Sequence, residues 1–301
     1  MFNKESYSRH SEWYNSKFST ERSKIEYLRK SKSDSEMNNI STWLQSLFFS
    51  CLDPLLKMKD KTWLTVGDAY GFDAQYVLKR GNRAVASDLN TDFLQVAKNE
   101  GIISDFNCEN AEHLTCGDQS FDYVLCKESY HHFPRPYAAL YEMVRVACKG
   151  IVLMEPQDPI SRMPLLLGLV NMLSGIKSSL PSKLWKNRFS YEPVGNFVYK
   201  LSERELEKFA AGLNLPLVAF KRINPNFYFE GANKAEASFI NRKFMGIYLK
   251  KGMYDLLVRI GFIPGQVLCA VVFKVVPPAE TLAELKTSGY RLVHIPLNPY
   301  L

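Results

Sequence analysis

A run of ionisable side chains, Lys127-Glu-Ser-Tyr-His-His132, follows the apolar segment Phe121–Cys126 and holds the only adjacent histidine pair of the chain. Imidazole titrates near neutral pH, so His131 or His132 is the first candidate for a general base. Glu128 is placed to orient an imidazole or to bind an amine. The pattern equally allows packing histidines and a solvent-exposed acid. A metal site is disfavoured, because adjacent histidines point apart in most backbones.

A second feature able to hold a ligand is a tight turn of small residues. Gly67, Ala69 and Gly71 follow the apolar strand Trp63–Val66, and Asp88 ends the next apolar run. A dinucleotide site needs the pattern G-x-G-x-x-G, which lets a helix amino terminus approach a pyrophosphate. The alternate spacing found here counts against a dinucleotide oxidoreductase. It suits S-adenosylmethionine, which has no phosphate.

With these motifs in this order, the chain resembles the class I S-adenosylmethionine-dependent methyltransferases, and more narrowly the type 11 group, over roughly residues 60–156. The resemblance implies that the glycine turn approaches the methionine part of the cofactor, that Asp88 holds the ribose hydroxyls, and that the segment Cys108–Leu114 recognises adenine. The cofactor contacts expected on this basis are Gly67, Asp68, Ala69, Gly71, Asp88, Leu89, Asn110, Ala111, Glu112 and Lys127.

The function that the resemblance implies is transfer of a methyl group to an oxygen or nitrogen of a small-molecule or glycan-precursor acceptor. Methyl transfer is an in-line displacement, for which the protein supplies alignment, exclusion of water and, for a hydroxyl acceptor, a base. Because the loop after strand four lies beside the expected methyl group, His131, His132 and Glu128 are its candidate catalytic residues.

Two positions depart from the pattern of the family. Thr65 stands where the family usually carries an acid, and Ala69 replaces its middle glycine. The first change removes a carboxylate that commonly orients the ammonium group of the cofactor, and the second adds a methyl group close to the ligand. We hypothesise that Asp68 takes over part of the missing charge. The alternative is a catalytically inactive methyltransferase-fold protein that acts by binding.

Short apolar runs alternate with helical patterns along residues 62–154. This alternation predicts an α/β fold, a Rossmann-like seven-stranded and mostly parallel sheet with helices on both faces. Every motif named above falls at the carboxyl end of a strand, where such sheets bind ligands. The predicted strands are 62–67, 83–87, 103–107, 121–126, 150–154, 217–222 and 266–276, and the main predicted helices of the sheet are 72–80, 91–100, 136–147 and 202–212.

Four segments are predicted. They are a helical extension over 1–58, the cofactor-binding core over 59–156, an insertion or lid over 157–200, and a final part over 201–301 that completes the sheet with a helical insertion at about 233–261 and a tail. The apolar helix 163–174 fits a lid, a dimer face or a membrane contact. A lid or packing face is favoured, because no basic residue follows it until Lys177. Tyr130, Trp185 and Tyr191 fit an acceptor pocket or ordinary packing.

The composition limits the remaining possibilities. A net charge of +7 permits an acidic or phosphorylated substrate, while the absence of a dense basic stripe argues against nucleic acid. Six cysteines without a C-x-x-C pair predict neither a zinc site nor a disulfide framework. No apolar run is long enough for a transmembrane segment and no signal-peptide core is present, so a cytoplasmic protein is expected, with a homodimer as one option.

Overall fold

An eight-stranded sheet forms the centre of this computed structural model, which describes residues 8–9, 12, 16–158, 164–176, 191 and 197–300. The strands are β1 (Thr62–Val66), β2 (Arg83–Asp88), β3 (Asp105–Cys108), β4 (Phe121–Lys127), β5 (Ala147–Pro156), β6 (Leu217–Ile223), β7 (Val267–Phe273) and β8 (Arg291–His294). Their order is β3-β2-β1-β4-β5-β7-β6-β8. The first five in this order are mutually parallel, whereas β7 is antiparallel to β5 and β6, and β8 is antiparallel to β6.

Helices connect and cover these strands. They are α1 (Glu21–Ser35), α2 (Ile40–Phe49), α3 (Asp53–Leu56), α4 (Phe72–Leu78), α5 (Asp92–Asn99), α6 (Pro136–Val146), α7 (Pro164–Ile176), α8 (Glu203–Gly212), α9 (Arg242–Arg259) and α10 (Ala279–Thr287). One 3-10 turn spans Tyr130–His132. The start of α8 has the predicted capping box, in which Ser202 Oγ accepts from Glu205 N and the Glu205 carboxylate accepts from Ser202 N.

The predicted fold class is confirmed, and the sheet has one strand more than the seven expected. The extra strand, β8, adds to the edge at β6, and α10 precedes it, in a stretch that the sequence assigned to a tail. Only four residues long and without a fully buried position, β8 has no strong apolar alternation to mark it. Pairing with β6, rather than its own pattern, makes it a strand.

The two faces of the sheet bury separate apolar clusters. Along β4, Tyr123 and Leu125 belong to the cluster beneath α1 to α5, while Val124 and Cys126 belong to the cluster beneath α6 and α8. This is the alternation expected of a strand buried on both sides. Each fully buried aliphatic side chain contributes about 1.5–3 kcal/mol. The core therefore holds the strand ends, and with them the site, in fixed positions.

A small third cluster joins two distant parts of the chain. Ile40 and Leu44 of α2 pack against Ala232 and Phe244, and Ile40 N donates a hydrogen bond to the Ala235 carbonyl. We call α2 together with residues 224–262 the cap. Of the predicted helical insertion, 233–261, the structure forms a helix over α9, while the residues before it run through turns.

The other predicted insertion is only partly described. Its helix α7 has no buried residue. The basic and aromatic stretch 177–190, which includes Trp185, lies outside the described residues. Among the residues that are described, no helix is long and apolar enough to cross a membrane.

Candidate functional site

The strand order reverses between β1 and β4, and the carboxyl ends of β1, β2, β4 and β5 meet at this point. In open parallel sheets such a reversal leaves a crevice where ligands bind. Short backbone links tie the strand ends together. Asp68 N donates to Ser87 O over 3.0 Å, and Ser87 Oγ donates to Thr65 O over 2.7 Å. These hydrogen bonds therefore fix the ends of β1 and β2 relative to each other at the base of the crevice.

Gly67 brings the turn after β1 into direct contact with the loop after β4. Its φ of +74° favours glycine, and a Cβ at this position would lie 2.4 Å from Ser129 Cβ. Ser129 Oγ donates to the Gly67 carbonyl over 2.7 Å. Gly71 also has a positive φ and faces Ile103. Packing and backbone geometry therefore suffice to require glycine at both positions.

Asp68 points into the protein at the start of α4. Its carboxylate accepts hydrogen bonds from the backbone N–H groups of Asp73 and Ala74, and from Thr65 Oγ1 over 2.9 Å. Burial, together with the neighbouring Asp73 carboxylate, raises the pKa of Asp68 to about 7. The Asp68 carboxylate therefore stands beside Thr65, the position at which the resemblance led us to expect an acid.

Lys127 is a mostly buried cation at the end of β4, with 12% of its side chain exposed. Its Nζ lies 3.3 Å from Asp73 Oδ1 and 3.6 Å from Glu128 Oε2, and it faces the rings of Phe48 and Phe49 at the end of α2. Burial lowers the pKa of Lys127, but the carboxylates of Asp73 and Glu128 outweigh burial and raise it. The lysine thus connects the crevice to the cap. Asp73 was not among the predicted site residues.

Asp88 ends β2 as a buried acid at the mouth of the crevice. Burial raises the pKa of Asp88 to about 6, although the backbone N–H groups of Asn90 and Leu89 and the nearby His132 ring act in the opposite direction. The Leu89 side chain beside it is partly exposed. A carboxylate offers about four acceptor positions, of which the two backbone donors use two. Asp88 therefore keeps room for further donors.

His131 forms a close pair with Glu155, the fully buried acid near the end of β5. The His131 Nδ1 atom lies 2.5 Å from Glu155 Oε2, while Glu155 Oε1 accepts from the backbone N–H groups of Ser129 and Tyr130. The tautomer with hydrogen on Nδ1 puts the imidazole lone pair on Nε2. Glu155 was missed at the sequence level. The available signal was an acid ending the apolar run Ile151–Met154.

Glu128 adopts a left-handed backbone conformation, with a φ of +53°, and its side chain is exposed beside the cap. Tyr228, from the segment before α9, lies near it, and burial raises the pKa of Tyr228 to about 12, with the Glu128 charge adding to the effect. The Tyr228 hydroxyl also interacts with the Gln45 side chain of α2. The cap therefore places polar groups opposite Glu128. Tyr228 and Gln45 carried no recognisable motif.

The predicted adenine segment folds as a braced loop. Asn110 Oδ1 accepts from Glu112 N over 3.0 Å, and Ala111 is buried. Both oxygens of Glu112 are bound by Arg135, one through its backbone N–H and one through Nε, each over 2.7 Å. The Glu112 carboxylate thus joins this loop to the start of α6.

The aromatic candidates for an acceptor pocket are scattered. Tyr130 is buried in the cluster beneath α6, which makes it a packing residue, whereas Tyr191 is largely exposed. Among the described residues, no group of three or more His, Cys, Asp or Glu side chains has the arrangement of a metal site.

A second open cleft lies farther along the same edge, between the end of β6, α2 and α9. Its volume is about 640 Å³. Its charged lining residues are Glu203, Lys221, Arg222, Lys251, Asp255, Arg259 and Arg291. Five of these seven are cations, of which Arg222 and Arg291 pair with Glu203 and Lys251 pairs with Asp255. The excess of positive charge in the lining favours anionic groups.

Comparison with known families identifies the part of the chain that builds this site. Residues 64–154 match the family model described as a methyltransferase domain. The match begins in β1 and ends in β5, and so covers the strands whose ends form the crevice. No curated protein sequence matches the chain.

Several solved structures are similar at low identity. The 1,6-didemethyltoxoflavin-N1-methyltransferase of Burkholderia thailandensis, with bound 1,6-didemethyltoxoflavin and S-adenosylhomocysteine, has 14% identity and a TM-score of 0.47 over 76% of each chain. A SAM-dependent methyltransferase of Archaeoglobus fulgidus has 14% identity and a TM-score of 0.46 over 76% of this chain and 94% of its own. Magnesium protoporphyrin IX methyltransferase of Synechocystis, with bound SAH, has 15% identity and a TM-score of 0.41 over 62% of this chain and 78% of its own. Likenesses this distant bear on neither the acceptor nor the role of any residue.

Proposed function

We propose that the protein is a class I S-adenosylmethionine-dependent methyltransferase that methylates an oxygen or nitrogen atom of a small-molecule or glycan-precursor acceptor. In this proposal residues 64–154, which match the methyltransferase-domain model, form the cofactor-binding core. The observation that carries the proposal is the convergence at one sheet edge of the buried Asp88 carboxylate and the His131–Glu155 pair. S-adenosylmethionine, when bound, supplies a methyl group made electrophilic by its sulfonium. The residues of the chain then hold the cofactor, orient the acceptor and move its proton.

Asp88 and Asp68 are the groups that we assign to the cofactor. The remaining acceptor positions of Asp88 suit the two ribose hydroxyls, and the partly exposed Leu89 next to it suits an apolar contact with the adenosine. We assign Asp68, which stands beside Thr65, to the electrostatic attraction of the ammonium group in the methionine part of the cofactor. Lys127, neutralised by Asp73, acts as a support for the turn rather than as a ligand.

His131 is the general base in this proposal. Glu155 holds the Nδ1 side of its ring and so orients the imidazole, and in this proposal Nε2 removes a proton from an acceptor hydroxyl. A buried carboxylate in this position also stabilises the imidazolium that forms. His132, near Asp88, belongs to the cofactor side, and Glu128 to the acceptor side with Tyr228 and Gln45.

The basic cleft supports an acceptor that carries phosphate or carboxylate groups. Its volume of about 640 Å³ lies within the usual range of small-molecule sites, and its lining includes Arg222, Lys251 and Arg259. A glycan precursor bearing a phosphate fits this chemistry. Leu47 of α2 and Ser50 just after it also line the cleft, so the helix that covers Lys127 reaches it as well.

Calorimetry with S-adenosylmethionine and S-adenosylhomocysteine tests the cofactor assignment. We expect binding by the wild-type protein and an affinity about 10- to 100-fold lower for Asp88→Asn, because hydrogen bonds to a charged acceptor are lost. Asn90→Ala is the matched control, since it alters the same turn without removing the carboxylate. Absence of heat at high micromolar cofactor would instead favour the non-catalytic binding protein.

Turnover assays test the base once an acceptor is identified, for which we suggest a screen for metabolites that gain one methyl group. His131→Ala should lower kcat by about 10²- to 10⁴-fold with unchanged cofactor affinity, and Glu155→Gln should shift the pH profile of kcat. His132→Ala serves as the comparison variant. Full turnover in both histidine variants would exclude the proposed base and leave the cofactor assignment standing.

A further inference from the structure

The outer face of α9 carries a continuous apolar surface. Its members, spaced at i, i+3, i+4, i+8, i+11 and i+15, lie on one side of a helix. They are Met245, Tyr248, Leu249, Met253, Leu256 and Ile260, each between 39% and 65% exposed. We call these six residues the α9 stripe. Ile240 before the helix and Phe262 after it extend the exposed surface at both ends.

The opposite face of α9 explains why the helix stays in place. Phe244 and Val258 are buried, and Phe244 belongs to the apolar cluster that joins α9 to α2. The helix is therefore apolar on two sides, one inside the cap and one turned outward. The outward side contributes nothing to the core, although a solvent-facing helix ordinarily has a polar outer face. An exposed surface of this kind marks an interaction site.

Cations flank the α9 stripe. Arg242, Lys243, Lys250 and Arg259 are exposed on the same helix. The only acid of α9, Asp255, pairs with Lys251 over 2.6 Å, on the side that lines the basic cleft. An apolar face between cations, with a tyrosine at the stripe, has the chemistry of a helix that lies in the interfacial region of an anionic membrane.

We propose that the α9 stripe binds the surface of a lipid bilayer that contains anionic headgroups, with the helix parallel to the membrane plane. The 18 residues of α9 span about 27 Å, so the whole stripe can lie along the surface at once. A second copy of the chain is a poorer fit. A symmetric contact between two stripes would bring their flanking cations together, while Asp255, the acid of α9, is paired with Lys251 on the side that lines the cleft.

The topology gives this surface a functional position. The segment that holds α9 leaves the sheet after β6 and returns at β7, at the edge where the cofactor crevice opens. The helix α7, which also has exposed apolar residues such as Leu165 and Met172, follows β5 at the same edge. Membrane binding through α9 therefore brings the open edge of the sheet, with the basic cleft, close to lipid headgroups. An acceptor anchored in that membrane would reach the site from this side.

Vesicle flotation with the full chain tests the proposal without cofactor or acceptor, so its result is independent of the methyl-transfer reaction. The vesicles contain either phosphatidylcholine alone or phosphatidylcholine with phosphatidylglycerol. We expect wild-type protein to float with the anionic vesicles, and the partition coefficient to fall at least about tenfold for neutral vesicles and for Leu249→Ser/Met253→Ser. Arg242→Gln/Lys250→Gln should lower it by a similar factor on anionic vesicles only.

Matched control variants distinguish vesicle binding through the α9 stripe from nonspecific adsorption of exposed apolar or basic residues elsewhere. Val275→Ser/Val276→Ser changes two comparably exposed apolar residues at the opposite edge of the sheet, and Lys79→Gln/Lys208→Gln removes two exposed cations elsewhere. Both should float like the wild type, and all variants should have the wild-type circular dichroism spectrum. Three results would overturn the proposal: no flotation of the wild type, flotation that the stripe variant leaves unchanged, or a wild-type dimer by light scattering that becomes monomeric in the stripe variant without vesicle binding.

Discussion

The edge of the core and the outer face of α9 differ in how far their charged and apolar side chains are exposed to solvent. At the core edge, the buried Asp73 pairs with the mostly buried Lys127, and Leu125 is fully buried. On α9, Arg242, Lys243, Lys250 and Arg259 are exposed and Leu249 is 65% exposed. Burying a charge is unfavourable unless it is paired, and exposing large apolar side chains contributes nothing to stability. Both regions therefore retain features that folding alone does not require, and each points to a function.

Lys127→Met should give the largest effect, because it leaves Asp73 buried without its cation. Breaking a buried pair from one side typically destabilises by about 3–5 kcal/mol. Arg22→Met, which removes an exposed cation from its pair with Glu26 on α1, should leave the unfolding midpoint unchanged. Urea unfolding at pH 7 measures both. Equal effects would mean that the core edge handles charge no differently from the surface.

Truncation of one leucine in each region compares the contributions of the core edge and of α9 to the free energy of unfolding. Leu125→Ala in β4 should lower the free energy of unfolding by about 2–5 kcal/mol, through lost burial and a cavity. Leu249→Ala on α9 should change it by less than about 0.5 kcal/mol. The two substitutions remove the same side-chain carbons beyond Cβ and leave the same methyl group. A large loss for Leu249→Ala would show that the stripe is part of the folded core and would weaken the case for a binding surface.

The pH dependence of stability should show that burial disfavours the ionised form of Asp88 in the folded state. Burial raises its pKa from 3.8 to about 6, so the folded state binds a proton that the unfolded chain releases. Stability is thus greatest below pH 4 for this group and falls as the pH rises to about 6, by roughly 3 kcal/mol. Asp88→Asn removes this contribution.

Urea midpoints of the wild type and Asp88→Asn at pH 4 and pH 7 provide the measurement. The variant should gain stability relative to the wild type at pH 7 and match it at pH 4. Asp68, whose pKa burial and Asp73 raise to about 7, titrates in both proteins and cancels in the difference. A constant difference between the proteins across this range would mean that Asp88 is not the group responsible.

The core could be predicted from the sequence because its strands are buried on both faces and punctuated by turns. The run Trp63–Val66 and the glycines after it require one local conformation, and the position of Asp88 follows from the next strand. The structure brings the turn, Asp88 and the histidine loop to one edge, as the motif order implied. The roles assigned to these residues stay predictions until the cofactor titrations are done.

The remainder of the site depends on contacts between distant segments, which a local pattern does not contain. Glu155 becomes a partner of His131 only when β5 lies beside β4, and Tyr228 reaches Glu128 only through the cap. The helix α9 has apolar residues on two sides, so its periodicity shows that it is helical but not which side is inside. The same limit applies to β8, whose conformation comes from its neighbour in the sheet.

The cap is assembled from two segments that are synthesised far apart in time. Asn233 Nδ2 of the later segment donates to Asp34 Oδ2, which lies in α1 just before the earlier segment, across 199 residues of sequence. At the usual pace of translation, about 5–20 residues per second, the ribosome needs roughly 10–40 s to deliver the second segment after the first. During that interval Ile40 and Leu44 have no counterpart from the later segment, and a nascent chain stalled before residue 224 should be more readily bound by chaperones than one released in full.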